Sequence, residues 1–212
     1  QVVRYDREST DEINNNSQIA ILEFFKAIVN NYDVILLSDY GKGVLTFEVT
    51  QSLITIANEN EKKLLVDPKG LNYSKYNGAY LLTPNKKEAS EATNIPITDH
   101  ESLSQAIICL KEKYNLQLSL ITLSEGGVAI YDNELRIHPT VAIEVFDVTG
   151  AGDTILASLG FSLSCNKNID EAIKFANLAS GVVVGKIGSA TATLNEIIEY
   201  ESSLNLEIDL KV

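Results

Sequence analysis

The chain has 212 residues, of which 45% are hydrophobic and 22% charged, with only 4 prolines; this supports one sizeable core and argues against a disordered chain. A net charge of −12 argues against a general nucleic-acid binder, which carries a basic face, while leaving room for phosphate sites built from backbone N–H groups and one or two lysines. No apolar run reaches the ~18 residues of a membrane span, no signal-peptide pattern opens the chain, and Cys109 and Cys165 read as buried structural thiols, as expected in the cytoplasm.

In chain order, residues 17–30 show helical apolar spacing at Ile21, Phe24, Phe25 and Ile28. Residues 33–38 form a continuous apolar run, as in a strand buried on both faces. Gly41-Lys42-Gly43 breaks it, and Thr46 is placed to cap a helix reaching about Glu59. Residues 63–67 and 80–83 read as strands stopped by Pro68 and Pro84. A short helix follows from Lys86, and Asp99 caps another that runs through about Tyr114. Residues 118–123 are a further apolar strand, and residues 128–131 and 135–137 flank Asp132-Asn133 as a β-hairpin. The last third is mostly helix, over residues 151–164, 169–184 and 194–203.

These repeated strand–helix units predict an α/β fold, a three-layer, mostly parallel sheet with helices on both faces. The expected organisation is one domain over residues 1–204, followed by a tail or linker over 205–212. The chain begins at Gln1 and contains no methionine, so it is expected to be a piece of a longer protein. In such sheets ligands sit beyond the carboxyl ends of the strands.

Four groups of residues there could carry chemistry. In Asp147-Val148-Thr149-Gly150-Ala151-Gly152-Asp153, small residues precede a strong helix. Backbone N–H groups and the helix dipole can hold an anion at such a turn, and Asp153 could take a proton from an attacking hydroxyl beside it. The plainer reading is a Gly-rich turn with an ordinary first-turn acid. No Gly-Lys-Ser/Thr follows, so this is not a P-loop. The bulky Ile155 stands where a dinucleotide fingerprint needs a small residue. Asn85 and Glu88 lie three apart at a helix start, where they could orient phosphate and hydrated Mg²⁺ or simply form a capping box.

Ser38-Asp39-Tyr40-Gly41-Lys42-Gly43 and Asp67-Pro68-Lys69-Gly70 each place an acid and a lysine on a turn after a buried strand. Asp39 suits sugar hydroxyls, and Lys42 and Lys69 suit a substrate phosphate; both turns could equally be solvated. Thr122, Ser124 and Gly127 end a strand and could line a nucleotide pocket, with the Asn177 amide facing a base. His100 and His138 lack metal-ligand spacing and read as surface residues.

Taken together, these residues resemble the ribokinase-like carbohydrate kinases over nearly the whole chain. Asn85-x-x-Glu88 is similar to the Mg²⁺/phosphate motif of that family, and Asp147-x-x-Gly150-Ala151-Gly152-Asp153 to its anion hole and base. The segments 37–43, 67–70, 82–85, 147–154 and 181–188 resemble one branch, the D-glycero-β-D-manno-heptose 7-phosphate kinases of lipopolysaccharide core synthesis. In that branch the kinase is often the N-terminal half of a bifunctional protein with an adenylyltransferase; nothing in this chain resembles the second half.

The resemblance implies ATP and Mg²⁺ as cofactors, with Glu88 acting on the metal through water. It also implies a sugar-phosphate substrate and a homodimer in the full-length protein, with neither nucleic acid nor membrane as a partner. It departs at two places. The family's opening strand, Gly-rich sugar turn and β lid are missing, with a remnant at residues 1–7, and Ser124 to Gly127 stand where many relatives have Gly directly after Thr-Leu.

Overall fold

The computed structural model describes residues 8–141 and 145–209, with side chains through 204. The elements are α1 (Asn15–Ile28), β1 (Val34–Ser38), α2 (Phe47–Glu59), β2 (Lys63–Asp67), β3 (Leu81–Leu82), α3 (Lys86–Thr93), α4 (His100–Lys113), β4 (Ser119–Thr122), β5 (Val128–Tyr131), β6 (Leu135–His138), α5 (Ala151–Ser164), α6 (Ile169–Val184) and α7 (Leu194–Asp209). Strands β1, β2 and β3 pair in parallel, and β4, β5 and β6 antiparallel. The two ladders join along β3 and β4, where Leu118 N–H donates to the Tyr80 carbonyl at 2.9 Å and Thr122 N–H to the Pro84 carbonyl at 3.0 Å. The antiparallel arm contains the hairpin expected around Asp132-Asn133.

Side chains alternate across this sheet, as the period of a strand demands. Leu64, Val66, Leu82, Ile121 and Ala129 point into a core shared with α2, α3 and α4. Leu65, Leu81, Leu120, Val128 and Ile130 point the other way, onto Leu156 and Leu159 of α5 and Ile173 and Ala176 of α6. Burying each of the larger aliphatic side chains is worth roughly 1.5–3 kcal/mol. The layers are thus helix, sheet and helix, as expected.

Local signals explain the helix starts. The side chains of Asn14, Thr46, Asn85, Asp99 and Asn168 each accept an N–H at the start of a helix, and those at 85, 99 and 168 complete capping boxes.

Several expectations need correction. Cys165 is exposed and Cys109 only half-buried, because Cys165 is the C-cap of α5 and Cys109 lies on the outer face of α4 beside Gln105, Glu112 and Lys113. Phe24 of α1 is 66% exposed rather than packed. His100 is exposed, but His138 is half-buried, its Nε2 2.7 Å from Oδ1 of Asp170. Helix α7, expected to end near Ser203, runs on to Asp209, since no Gly or Pro follows to stop it. Residues 210–212 and the remnant at residues 1–7 lie outside the described residues. No helix among the described residues is long and apolar enough to cross a membrane.

Candidate active site at the carboxyl edge of the sheet

Because β1, β2 and β3 run in parallel, the turns that follow them leave from one edge. Ser38 is in register with Asp67, so the 39–43 turn lies beside the 67–70 turn. Asn85 bridges in parallel to Thr122, which brings the end of β4 to the same edge. The start of α5 arrives there too: the Tyr40 hydroxyl donates to Oδ1 of Asp153 at 3.4 Å, across 113 positions of sequence.

Asp153 stands exposed in the first turn of α5. Gly150 is the N-cap, at φ 81°, a left-handed conformation open to glycine at little cost. Ala151 N–H turns back to the Val148 carbonyl at 3.1 Å. The N–H groups of Gly152 and Asp153 fall where a helix start supplies no intrahelical acceptor. A Cβ added at Gly152 would meet no atom within 4 Å, so packing alone does not call for glycine there. Asp147 braces the turn, accepting Thr149 N–H at 2.9 Å and Gly188 N–H at 3.2 Å.

Asn85 and Glu88 form the capping box: Asn85 Oδ1 accepts Glu88 N–H at 3.0 Å, and Glu88 Oε2 accepts Asn85 N–H at 2.9 Å. The box engages one oxygen of Glu88, while the other, Oε1, lies 3.7 Å from Lys69 Nζ. The cap and the ligand readings of this pair are therefore compatible. Asp67, the acid at the end of β2, is close enough to Glu88 and Asp153 to feel both charges. Burial, then the negative charges of Glu88 and Asp153, push its carboxyl up to about 6, against the smaller opposing pull of Lys69 and Thr83.

Beside these carboxylates opens a cavity of about 450 Å³ lined by Thr122, Ser124, Gly127, Ala151, Gly152 and Asn177, with Ile155 and Val184 among its apolar walls. Six residues expected at a nucleotide or phosphate site thus line one cavity. Gly127, at φ 87°, is required by packing: a Cβ would fall 2.0 Å from the His138 carbonyl oxygen. The Asn177 amide donates to the Pro139 carbonyl at 3.2 Å, so it also holds the chain leaving β6.

The sugar-side candidates are placed less uniformly. Asp39 is only 5% exposed. Its carboxylate accepts from Tyr76 Oη at 2.6 Å, Gly41 N–H at 2.7 Å and Lys75 Nζ at 2.5 Å. Burial pushes its pKa up, but the bonds from Lys75, Tyr76 and Gly41 outweigh that and hold it below the ordinary range. Lys42 pairs with Glu8, and Lys69 faces Glu88 as described. Sequence reasoning did not pick out Tyr40, Lys75 or Tyr76; no spacing marks them, because each acts across the fold.

The pfkB family carbohydrate kinase pattern matches residues 3–196. The chain is 62% identical over 205 residues to the Bifunctional protein HldE of Aliarcobacter butzleri (strain RM4018), covering 97% of this chain and 43% of that protein. It is 59% identical over 205 residues to the protein of the same name from Sulfurimonas denitrificans, with the same coverage. The chain therefore spans less than half the length of these curated relatives. Among solved structures, it is similar to Arabidopsis thaliana ribokinase complexed with ribose and ATP (TM-score 0.74, 21% identity, 90% of this chain and 60% of that one). It is also similar to Escherichia coli phosphofructokinase-2 in complex with potassium (TM-score 0.77, 19% identity, 92% and 64%). At such identities these two establish the ribokinase-like fold. The family pattern and the close relatives establish more: the chain belongs to the pfkB family of carbohydrate kinases.

Proposed function

We propose that this chain is the kinase part of a longer protein and phosphorylates D-glycero-β-D-manno-heptose 7-phosphate at C1. The products are the 1,7-bisphosphate and ADP, in the route to ADP-heptose and the lipopolysaccharide core. One observation carries the kinase reading: Asp153, the start of α5, and Asn85 with Glu88 converge beside one cavity, though widely separated in sequence. The choice of sugar rests on the five segments that resemble the heptose branch. The relatives' name, Bifunctional protein HldE, and the 43% of their length that is matched support reading the chain as one part of two. A homodimer in the cytoplasm goes with the same reading.

On this reading ATP occupies the cavity, with its phosphates toward Gly150–Asp153 and Asn85. Asp153 takes the proton of the C1 hydroxyl as that oxygen bonds to the γ-phosphorus. The bond to the β,γ-bridging oxygen breaks and ADP leaves with the electron pair. The N–H groups of Gly152 and Asp153 stabilise charge on the transferring group, and Lys69 and Lys42 meet the 7-phosphate. No three His, Cys, Asp or Glu side chains among the described residues form a metal cluster, but the oxygen donors at Glu88 and Asp67 fit Mg²⁺ held largely by phosphates and water. A bound Mg²⁺ would neutralise phosphate charge, with Glu88 reaching it through water.

The test is ADP release by the full-length protein with Mg-ATP and heptose 7-phosphate, fructose 6-phosphate, fructose 1-phosphate or ribose. Asp153→Asn is run alongside. Preference for the heptose, lost in the variant, supports the reading. Preference for another sugar keeps the kinase and discards the lipopolysaccharide role. ATP binding without turnover of any sugar points to a non-catalytic nucleotide module.

A further inference from the structure

The turns after β1 and β2 carry Tyr40 and the lysines assigned above to the sugar side, Lys42 and Lys69, and one buried hydroxyl joins the two turns. Tyr76 closes a short 3₁₀ turn (Ser74–Tyr76) and is fully buried. Its hydroxyl donates to Asp39 Oδ2 at 2.6 Å and accepts the backbone N–H of Lys69 at 3.0 Å. Asp39 in turn accepts Gly41 N–H at 2.7 Å. It also pairs with Lys75, whose Nζ reaches the Leu45 carbonyl at 3.1 Å. The turns lie side by side: a Cβ on Gly41 would lie 3.6 Å from Cγ of Lys69.

The ring alone meets the packing need at this position. It sits edge-on to the Tyr73 ring, with centroids 5.7 Å apart, and phenylalanine would fill the same volume. A buried hydroxyl is costly unless bonded, and this one is bonded to both turns. The neighbouring tyrosines show the contrast. Tyr73 Oη has no partner among the described residues, and Tyr114 Oη meets the Ala92 carbonyl at 3.3 Å, away from the turns.

We infer that Tyr76 is a positioning residue for the sugar-phosphate half of the site, its hydroxyl fixing the turn that carries Tyr40 and Lys42 against the turn that carries Lys69. This rests on the kinase reading above. The cavity wall of Thr122, Ser124 and Gly127 lies outside the network, so the nucleotide side is not held by it.

The test uses the full-length protein, with Tyr76→Phe and Lys75→Gln compared with wild type and with Tyr114→Phe, which deletes a buried hydroxyl elsewhere in the same core. Steady-state kinetics use Mg-ATP and whichever sugar phosphate the wild type turns over. Tyr76→Phe is expected to raise KM for the sugar phosphate ~10-fold, with KM for ATP and kcat changed less than about threefold. Lys75→Gln should move the same constant, and Tyr114→Phe neither. Equal rises in both KM values, an effect of Tyr114→Phe as large as that of Tyr76→Phe, or no change in the two network variants overturns the inference.

A readout independent of turnover is amide hydrogen exchange. Tyr76→Phe is expected to speed exchange at least ~10-fold in segments 39–43 and 67–70, leaving 122–127 unchanged. Uniform or absent acceleration sinks the positioning role even if no sugar is found. A wild type inactive on every sugar, with the local exchange effect present, would count against the kinase reading alone.

Discussion

The hydroxyl of Tyr40 lies 3.4 Å from Oδ1 of Asp153, joining the turn after β1 to the first turn of α5. Tyr40 is 63% exposed, so the bond itself adds little to stability. On the proposed reading its value is geometric: it marks where the sugar hydroxyl would meet the carboxylate. Asp153→Asn is expected to lower kcat by ~10²–10⁴ while ATP affinity, followed by calorimetry, shifts less than about twofold. Tyr40→Phe should lower kcat/KM for the sugar by less than ~10-fold. Parallel loss of ATP binding in Asp153→Asn would remove the base assignment.

Gly152 separates folding from function. Since an added Cβ meets no protein atom within 4 Å and alanine is the better helix former, Gly152→Ala should leave Tm within ~2 °C or raise it. On the proposed reading the methyl group would occupy space the phosphoryl group reaches, so kcat/KM for ATP should fall ~10²-fold. A variant of unchanged activity would show that no phosphate approaches this turn.

Asp67 predicts a pH dependence. Its folded pKa is raised from 3.8 to about 6, so the folded state binds its proton more tightly than the unfolded chain does. The stability this contributes is fully present below about pH 4 and is lost as pH rises through about 6. Asp67→Asn, which mimics the protonated side chain, should therefore raise Tm by ~2–4 °C at pH 7.5 and by less at pH 5. Thermal melts at the two values check the sign; a larger gain at pH 5 would contradict it.

Arg136 anchors the hairpin to α6. It bonds both carboxylate oxygens of Asp132 at 3.0 Å and, through Nε, Oδ1 of Asp170 at 3.0 Å. Two residues along, His138 reaches the same Asp170 oxygen, and Pro139 receives the Asn177 amide at the cavity. Arg136→Ala is expected to cost ~0.5–1 kcal/mol, reduced because the ion pairs are partly solvated. It should raise KM for ATP ~3–5-fold without moving KM for the sugar. This is the mirror of the pattern expected for Tyr76→Phe, and the two together test whether the halves of the site are held independently.

Much of the fold could be read from local patterns. Apolar runs ended by Pro68 and Pro84 and capping residues at Thr46, Asp99 and Asn85 place most elements within a residue or two, because each signal acts over one turn of chain. The end of α7 is less legible for the same reason: the sequence after Leu204 holds no stop signal, yet its polarity looks like a linker. Cys165 and Phe24 were misplaced because helical spacing shows that a stripe exists but not which neighbour covers it.

By itself the sequence determined the α/β class, the turns that bear glycine and carboxylate, and the candidate base Asp153, since these depend on residue type and short spacing. Only the tertiary structure decided which of those turns stand together. Parallel register set Ser38 beside Asp67, Asp39 meets Tyr76 and Lys75, and Asp67 feels the charges of Glu88 and Asp153. Such pairings arise from how strands and helices stack, and contacts made across 37 or 113 positions leave no periodicity in the chain to reveal them.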